Sequence, residues 1–327
     1  MTANRNLKRR IRTRAARTGE SYAAARHQLL GAPAPVAAPA LAPVSRSLTV
    51  AVAQVPLRPD PGDVAQIEAS GAAVRALMRQ AAARGAGLVL FPEGALTSPA
   101  KQVMSSTGPD DIGPADWGRA DWAALGRELE QVMNLAGELG IWVVAGGIDR
   151  PGGAGRPVNC VFVVSDQGRR AGRYDERMLS RTKGLFMYSP GTRPLVFTAG
   201  GLRFGCALGM ETHYAELFAA YEELGVDAVL FATHGSPENP GVFAVEAAGH
   251  AAANSFWVGY AGPAQDGHPP AGLLTPEGDW AARCTTHGPE LAVADVVTDP
   301  ASPARAWRRL ARAAIGSRPG TERPGRR

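Results

Sequence analysis

Short apolar segments alternate with amphipathic segments of helical period along most of the chain, and this alternation constrains the fold more than any other feature. Strands are predicted over 47–55, 87–93, 141–147, 158–164, 227–233, 255–262, 271–276 and 291–297. The segment 168–176 is predicted to supply a hairpin partner, and 194–209 is predicted to form a hairpin that turns at Gly200 and Gly201. Helices are predicted over 63–84, 119–139, 214–224, 240–254 and 302–315. Strand–helix units come first and hairpins follow, a pattern that predicts an α/β fold of layered sheets with helices outside.

The two ends of the chain differ from this alternating body. Residues 1–30 are predicted to form a basic helical arm, and 31–46 a linker rich in proline and alanine that favours extended polyproline II backbone. The main domain is then expected over 47–300, followed by an Arg-rich helix and tail over 301–327.

The formal net charge of +5 conceals an uneven distribution. Each end, 1–30 and 301–327, carries +7, and the residues between them carry 19 basic and 28 acidic side chains, a net charge of −9. An acidic body is a poor platform for nucleic acid, while basic arms attract anionic partners electrostatically. Solvated tails that bind nothing specific are the simpler interpretation, and contact with nucleic acid or another anionic partner is the alternative.

The counts of reactive residues exclude several classes of protein. Three cysteines without close spacing predict neither a disulfide framework nor a structural zinc site. The six histidines have no ligand spacing and no phosphate-binding loop is present, so neither a metal nor a cofactor is predicted. No run of 18 apolar residues exists, so no membrane span is expected and the protein is predicted to be cytoplasmic.

Several motifs resemble those of the carbon–nitrogen hydrolase (nitrilase) superfamily in order and spacing. The principal ones are LVLFPEGALT (88–97), GRYDERML (172–179), RFGCALGMETHYAEL (203–217) and AGLLTPEGDW (271–280), and the resemblance extends over about 47–298. It implies a four-layer αββα sandwich of the nitrilase type, which usually pairs across an interface into a homodimer or larger homo-oligomer.

The chemistry that the resemblance implies requires four side chains. A Glu activates a Cys, which forms a thioester with an amide or nitrile carbon, while a Lys and a second Glu stabilise and orient the reacting group. Glu93, at the end of the F-P-E segment, matches the general base.

The lysine position departs from the family pattern. It holds Glu176, a carboxylate that cannot stabilise an oxyanion. Lys183 is the only other lysine in that region. It could reach the site from a loop, although a solvated lysine is the simpler expectation. No second Glu is present over 182–186, where the family has one.

The nucleophile position also departs from the pattern. Matching the motif around 205–217 places Gly209 where the family has its cysteine, with Met210 and Glu211 directly after it. Cys206 lies three residues earlier, on the opposite face of a strand, and is expected to be a small core residue.

Three of the four positions are therefore replaced, which argues against ordinary amidase or nitrilase activity. Glu93, Glu176 and Glu211 are expected to converge on a degenerate pocket that suits a small amine- or amide-containing ligand, or a partner. Alternatively, Glu211 caps the helix that starts near Tyr214. A second hypothesis is an enzyme acting on a C–N bond without a covalent intermediate, with Glu93 as general base. The third is an interaction protein that uses its basic arms.

Overall fold

The computed structural model describes residues 3–19, 21–22, 25–26, 45–153, 155–236, 238–299 and 302–316. It divides the chain into two compact units, Met1–Val44 and Ser45–Arg327. The first contains helix α1 (Ala3–Thr18), and the second contains every other element named below. Residues 31–44 of the predicted linker and 317–327 of the predicted tail lie outside the described residues.

The second unit contains two six-stranded sheets. The strands of the first are β1 (Ser47–Gln54), β2 (Leu88–Leu90), β3 (Trp142–Asp149), β4 (Val158–Val164), β5 (Arg170–Asp175) and β12 (Glu290–Val297). Those of the second are β6 (Val196–Ala199), β7 (Leu202–Leu208), β8 (Ala228–Ala232), β9 (Trp257–Ala261), β10 (Gly272–Leu274) and β11 (Trp280–Arg283). The strand orders are β12-β1-β2-β3-β4-β5 and β11-β10-β9-β8-β7-β6.

Parallel pairing is confined to the centre of each sheet. Strands β1, β2 and β3 are parallel to one another, as are β7, β8 and β9, while the outer strands pair in antiparallel fashion. Helical crossovers join the parallel central strands of each sheet, as parallel pairing requires.

The helices of the second unit lie outside the sheets. They are α2 (Val64–Ala83), α3 (Lys101–Met104), α4 (Trp122–Leu139), α5 (Ala215–Glu223), α6 (Val242–Asn254) and α7 (Pro303–Gly316). Apolar side chains of α2 and α4 form one core with the first sheet, and those of α5 and α6 form another with the second sheet. A third core fills the space between the sheets. This is the four-layer αββα sandwich that the motifs predict.

Four elements lie outside the predicted alternation, and the first of them is the four-residue helix α3 (Lys101–Met104). Strand β11 is a short edge strand, a π-helix spans Lys183–Met187, and a 3-10 helix spans Gly209–His213. Among the described residues, no helix is both long and apolar enough to cross a membrane.

Candidate functional site

The carboxyl ends of the central strands meet at one edge of the sandwich and place several polar residues together. Glu93 follows β2, Glu176 follows β5, Gly209 follows β7 and His234 follows β8, while Asn159 is the second residue of the antiparallel strand β4. Ligand sites in α/β folds commonly occupy this edge of a sheet.

Glu93, Glu176 and Lys183 form a buried cluster of charges. The Lys183 Nζ lies 2.5 Å from Glu93 Oε1 and 2.8 Å from Glu176 Oε2. The Asn159 amide bridges the same two carboxylates, donating to Glu93 Oε1 at 2.8 Å and to Glu176 Oε2 at 2.6 Å. No more than a tenth of any of these side chains is exposed. We refer to Glu93, Glu176, Lys183 and Asn159 as the charged cluster.

His234 connects the charged cluster to solvent. Its backbone N–H donates to Glu93 Oε2 at 3.2 Å, and its ring Nδ1 lies 3.0 Å from the same oxygen. The ring is 42% exposed, so one edge of it faces water while the other contacts the buried carboxylate.

Two glycines are required by the close approach of chain segments here. A Cβ atom at Gly146 of β3 would collide with the Pro92 carbonyl oxygen and lie 2.7 Å from the Glu93 Cα. Gly209 has a φ of +53°, a conformation that side chains disfavour. A Cβ atom there would lie 2.7 Å from Glu176 Oε1, 3.1 Å from Glu93 Oε2 and 3.3 Å from Lys183 Nζ. The charged cluster therefore fills the space above Gly209.

The charges within the cluster perturb one another strongly. Burial and the neighbouring Glu93 carboxylate raise the pKa of Glu176 to about 7, despite the Lys183 ammonium. Burial opposes ionisation of Glu93, but the Lys183 ammonium and the His234 ring outweigh it and lower the pKa of Glu93 well below its usual range. Burial likewise opposes the charge on Lys183, while both carboxylates raise its pKa. Glu93 and Lys183 are thus charged, and Glu176 holds the exchangeable proton.

Two expectations were stated for Lys183, and its side chain is buried beside Glu93 and Glu176 rather than solvated. The residue begins the π-helix Lys183–Met187, whose wide turn directs its side chain into the fold. Other loops hold this turn in place. Arg156 donates to the Gly184 and Leu185 carbonyl oxygens at 2.7 and 2.9 Å, and the Trp117 indole donates to the Met187 carbonyl oxygen at 2.9 Å.

Glu211 is buried, but it makes no hydrogen bond within the charged cluster. Its carboxylate accepts from the Tyr174 hydroxyl at 2.6 Å and from the backbone N–H groups of Leu208 and Arg177 at 2.9 and 2.7 Å. Burial raises its pKa. Glu211 thus fastens the 3-10 helix after β7 to the segment after β5, instead of capping the later helix at Tyr214. The neighbouring Met210 is half-buried against the core of the outer helices.

The three cysteines are buried in the hydrophobic cores. Cys206 lies in the core between the sheets, and Cys160 faces the opposite core, under α2 and α4. Burial raises the pKa of both thiols, and raises that of Cys284 to about 12. Thiols with raised pKa values are poor nucleophiles.

Sequence reasoning missed the roles of three residues. Asn159 was a polar side chain in the otherwise apolar segment VNCVFVV, which is the only signal that it offered. His234 follows a predicted strand, and nothing in the sequence indicates its contact with Glu93. Lys101, one of three lysines in the chain, lies half-buried on α3, close enough to the charged cluster that burial and the Lys183 charge lower its pKa. Within the described residues, no three His, Cys, Asp or Glu side chains are arranged to hold a metal ion.

Comparisons with known proteins place this geometry in context. The model of the carbon–nitrogen hydrolase family matches residues 49–306. Among solved structures, the NitN amidase from Nesterenkonia sp. AN1 is similar at 19% identity and a TM-score of 0.62, covering 82% of this chain and 99% of that chain. A cysteine-to-alanine variant of that amidase, ascribed to the nitrilase superfamily, aligns at 18% identity and a TM-score of 0.63, covering 84% and 98%. Another variant, with acrylamide added at its active-site cysteine, aligns at 18% identity and a TM-score of 0.61, covering 82% and 99%. No curated protein sequence matches the chain.

Proposed function

Because the chain belongs to the carbon–nitrogen hydrolase family, we propose that it is a member without thioester chemistry. Its pocket binds a small ligand that carries an amine or an amide. The observation that carries this proposal is the space above Gly209, which Glu93, Glu176 and Lys183 occupy. Gly209 supplies no nucleophilic side chain at that position.

A variant of the similar amidase from Nesterenkonia sp. AN1 carries acrylamide added at its active-site cysteine. In the present chain, Gly209 takes the place that the sequence motif assigns to the nucleophile, and the nearest cysteine in sequence, Cys206, is fully buried in the core between the sheets. Covalent catalysis requires an accessible, activated nucleophile, and a buried thiol with a raised pKa is neither.

The charge balance of the site supports a basic or hydrogen-bond-donating ligand. When Glu176 is ionised, the two carboxylates exceed the single Lys183 ammonium by one negative charge. His234 marks the side on which the cluster approaches solvent. A ligand amine that donates to this edge would offset the excess charge, and an amide N–H would do so more weakly.

A role for Glu93 as general base is less well supported. Its two oxygens accept from Lys183, Asn159 and the His234 backbone, and its pKa is lowered. A carboxylate that is already so strongly hydrogen-bonded has little basicity left for a substrate proton.

Two measurements test the proposal. Intact-mass spectrometry after incubation with acrylamide, fluoroacetamide and simple nitriles is expected to detect no adduct at Cys206, and a Cys206→Ser variant is expected to behave identically. Amide hydrolysis that is lost in Cys206→Ser would contradict the first half of the proposal.

Calorimetric titration with small primary amines and amides tests the second half. Binding is expected to strengthen above about pH 7, where Glu176 ionises, and to lose this pH dependence in Glu176→Gln. A matched control is Glu216→Gln, which removes an exposed carboxylate from α5. If no amine or amide in the panel binds either below or above pH 7, the binding role is refuted.

A further inference from the structure

The Lys183 ammonium has the contacts of a bound ligand. A primary ammonium carries three N–H donors and no acceptor. In the charged cluster, Nζ lies 2.5 Å from Glu93 Oε1, 2.8 Å from Glu176 Oε2 and 3.1 Å from Glu176 Oε1. All three contacts are with carboxylate oxygens, so the position is defined by both charge and donor number. The same contacts would hold any primary ammonium group placed there.

A neutral amide matches this position less well. An amide NH2 group offers two donors and no charge. Asn159 already supplies both carboxylates with neutral donors, at 2.8 Å from Glu93 Oε1 and 2.6 Å from Glu176 Oε2. The two buried carboxylates still require a cation, because a buried charge left without a partner is strongly destabilising. The position therefore favours an ammonium ion over an amide.

The segment that places Lys183 in the cluster lies at the protein surface. Lys183 is the first residue of the π-helix Lys183–Met187, and Leu185 within this turn is 56% exposed. Exposed hydrogen bonds from Arg156 hold the turn at the carbonyl oxygens of Gly184 and Leu185. Segments held by solvent-exposed hydrogen bonds open locally at a low cost in free energy, and single π-helical turns occur frequently at functional sites.

The opposite end of the turn is fixed. Met187 and Trp117 belong to one buried apolar cluster, and the Trp117 indole donates to the Met187 carbonyl oxygen at 2.9 Å. An opening of the turn is therefore confined to its first residues, which include Lys183. Withdrawal of the Lys183 side chain would vacate a position between Glu93 and Glu176 while the sheets stay intact.

We propose that the ligand of the charged cluster is a primary alkylammonium ion, and that Lys183 is a tethered occupant which such an ion displaces. The proposal rests on the proposed function in placing the ligand at the cluster, and it narrows the ligand from amines and amides to one class. An unbranched alkyl chain suits the position, because the lysine side chain that it replaces is itself unbranched.

Truncation of Lys183 in the full-length protein tests the site directly. Lys183→Ala removes Cγ, Cδ, Cε and Nζ, which together are the heavy atoms of n-propylammonium. This ion is expected to bind Lys183→Ala with saturation and at least about tenfold more tightly than propionamide or n-propanol, because only the ion pairs with the carboxylates. Lys101→Ala is the matched control, because Lys101 is a half-buried lysine beside the cluster that makes no hydrogen bond to any of its four residues.

Isothermal titration calorimetry and thermal unfolding followed by circular dichroism supply the readouts. Compared with sodium chloride at the same ionic strength, n-propylammonium chloride is expected to raise the melting temperature of Lys183→Ala and to leave that of Lys101→Ala unchanged. Should Lys183→Ala not fold, the double variant Glu176→Gln/Lys183→Ala has one unpaired carboxylate fewer and takes its place in the test. A folded truncation variant that binds n-propylammonium no more tightly than Lys101→Ala does would overturn the proposal.

Hydrogen exchange in the unaltered protein tests the displacement. Saturation with n-propylammonium is expected to make amide exchange over 183–187 about tenfold faster and to leave exchange in β7 unchanged. Binding of the ion without any change over 183–187 would overturn the displacement and leave amine binding intact. Conversely, if Lys183→Ala binds the ion while the unaltered protein binds no amine, the proposed function fails and the ammonium specificity of the site stands.

Discussion

At the scale of single residues, the charged cluster concentrates opposing charges where water cannot reach them. The ammonium of Lys183 balances one carboxylate, and Asn159 donates to both. Burying an ion costs several kcal/mol, and a buried pair offsets this only when its hydrogen bonds are complete. The single ammonium cannot balance the second carboxylate as well. Burial and the Glu93 charge therefore raise the pKa of Glu176, which takes up a proton.

This arrangement predicts a specific pH dependence of stability. The pKa of Glu176 is about 7 in the fold against 4.5 ordinarily, so between these values the folded state binds more protons than the unfolded chain. The stability contributed by this group is therefore full below about pH 4.5 and is lost as the pH rises through 7. Glu93 acts in the opposite sense, since its lowered pKa contributes stability that is present above its ordinary pKa and is lost as the pH falls below it.

Glu176→Gln removes the titration while preserving the shape. Its free energy of unfolding relative to the unaltered protein is expected to rise by about 3 kcal/mol between pH 4.5 and pH 8, since one pKa unit corresponds to about 1.4 kcal/mol. Urea denaturation at a series of pH values measures this difference, with Glu216→Gln as the exposed control. A difference that stays constant with pH would mean that Glu176 does not hold the proton.

The residues of the site differ in how far the sequence could predict them. Glu93 and Glu176 each follow a recognisable strand, so their approach could be predicted from topology. The burial of Lys183 could not, because a single π-turn determines its direction and a five-residue turn has no periodicity to read. The expectation that Glu211 joins the pocket failed for a different reason. A carboxylate beside a strand end can accept hydrogen bonds from backbone N–H groups as readily as it can enter a pocket.

At the scale of elements, length and apolar content decided which segments could be predicted. Strands such as β4 (Val158–Val164) are apolar runs, broken in β4 by Asn159 alone and buried on both faces, and their pattern predicts them directly. Strand β11 (Trp280–Arg283) is a short edge strand that is exposed at alternate residues. It forms because it pairs with β10, and its composition alone does not predict it. Tertiary pairing of this kind leaves little trace in the sequence.

Helix α7 illustrates an element that depends on one residue of another helix. Both Arg309 and Arg312 bind Glu222, so Glu222→Gln is expected to loosen α7 locally while the sheets stay intact. Hydrogen bonds to charged groups contribute about 1.5–3 kcal/mol, and the partial exposure of Arg309 reduces this. Amide hydrogen exchange over 303–316, measured by mass spectrometry, is therefore expected to become about tenfold faster.

The control for this prediction is Glu216→Gln on the same helix α5, whose carboxylate is exposed. Exchange in the β7 and β8 strands serves as an internal reference. If α7 exchanges at the same rate in Glu222→Gln as in the unaltered protein, its anchor lies elsewhere.

At the scale of the whole molecule, charge is segregated along the chain. The first 30 residues carry +7, while residues 31–300 carry −9. Removing residues 1–30 is expected to lower the affinity for a short DNA duplex at least tenfold at low salt and to flatten the dependence of log affinity on log salt, because fewer counterions are released.

Fluorescence anisotropy at several salt concentrations measures this effect. A full-length variant in which glutamine replaces the basic residues of 1–30 keeps the length and removes the charge, so it separates electrostatics from size. Equal affinity and equal salt slope in all three proteins would eliminate the arm as an anion-binding segment.

The crowding above Gly209 has an evolutionary consequence. A cysteine introduced there would have its Cβ 2.7 Å from Glu176 Oε1 and 3.3 Å from Lys183 Nζ, and it would inherit a φ of +53°. The atoms that it would meet are the ends of flexible side chains, which can shift by a few tenths of an ångström. Strained backbone is also where a turn between a strand and a helix commonly presents a nucleophile. Gly209 therefore leaves a thiol at this position within reach of one substitution, provided that the Glu176 carboxylate moves aside.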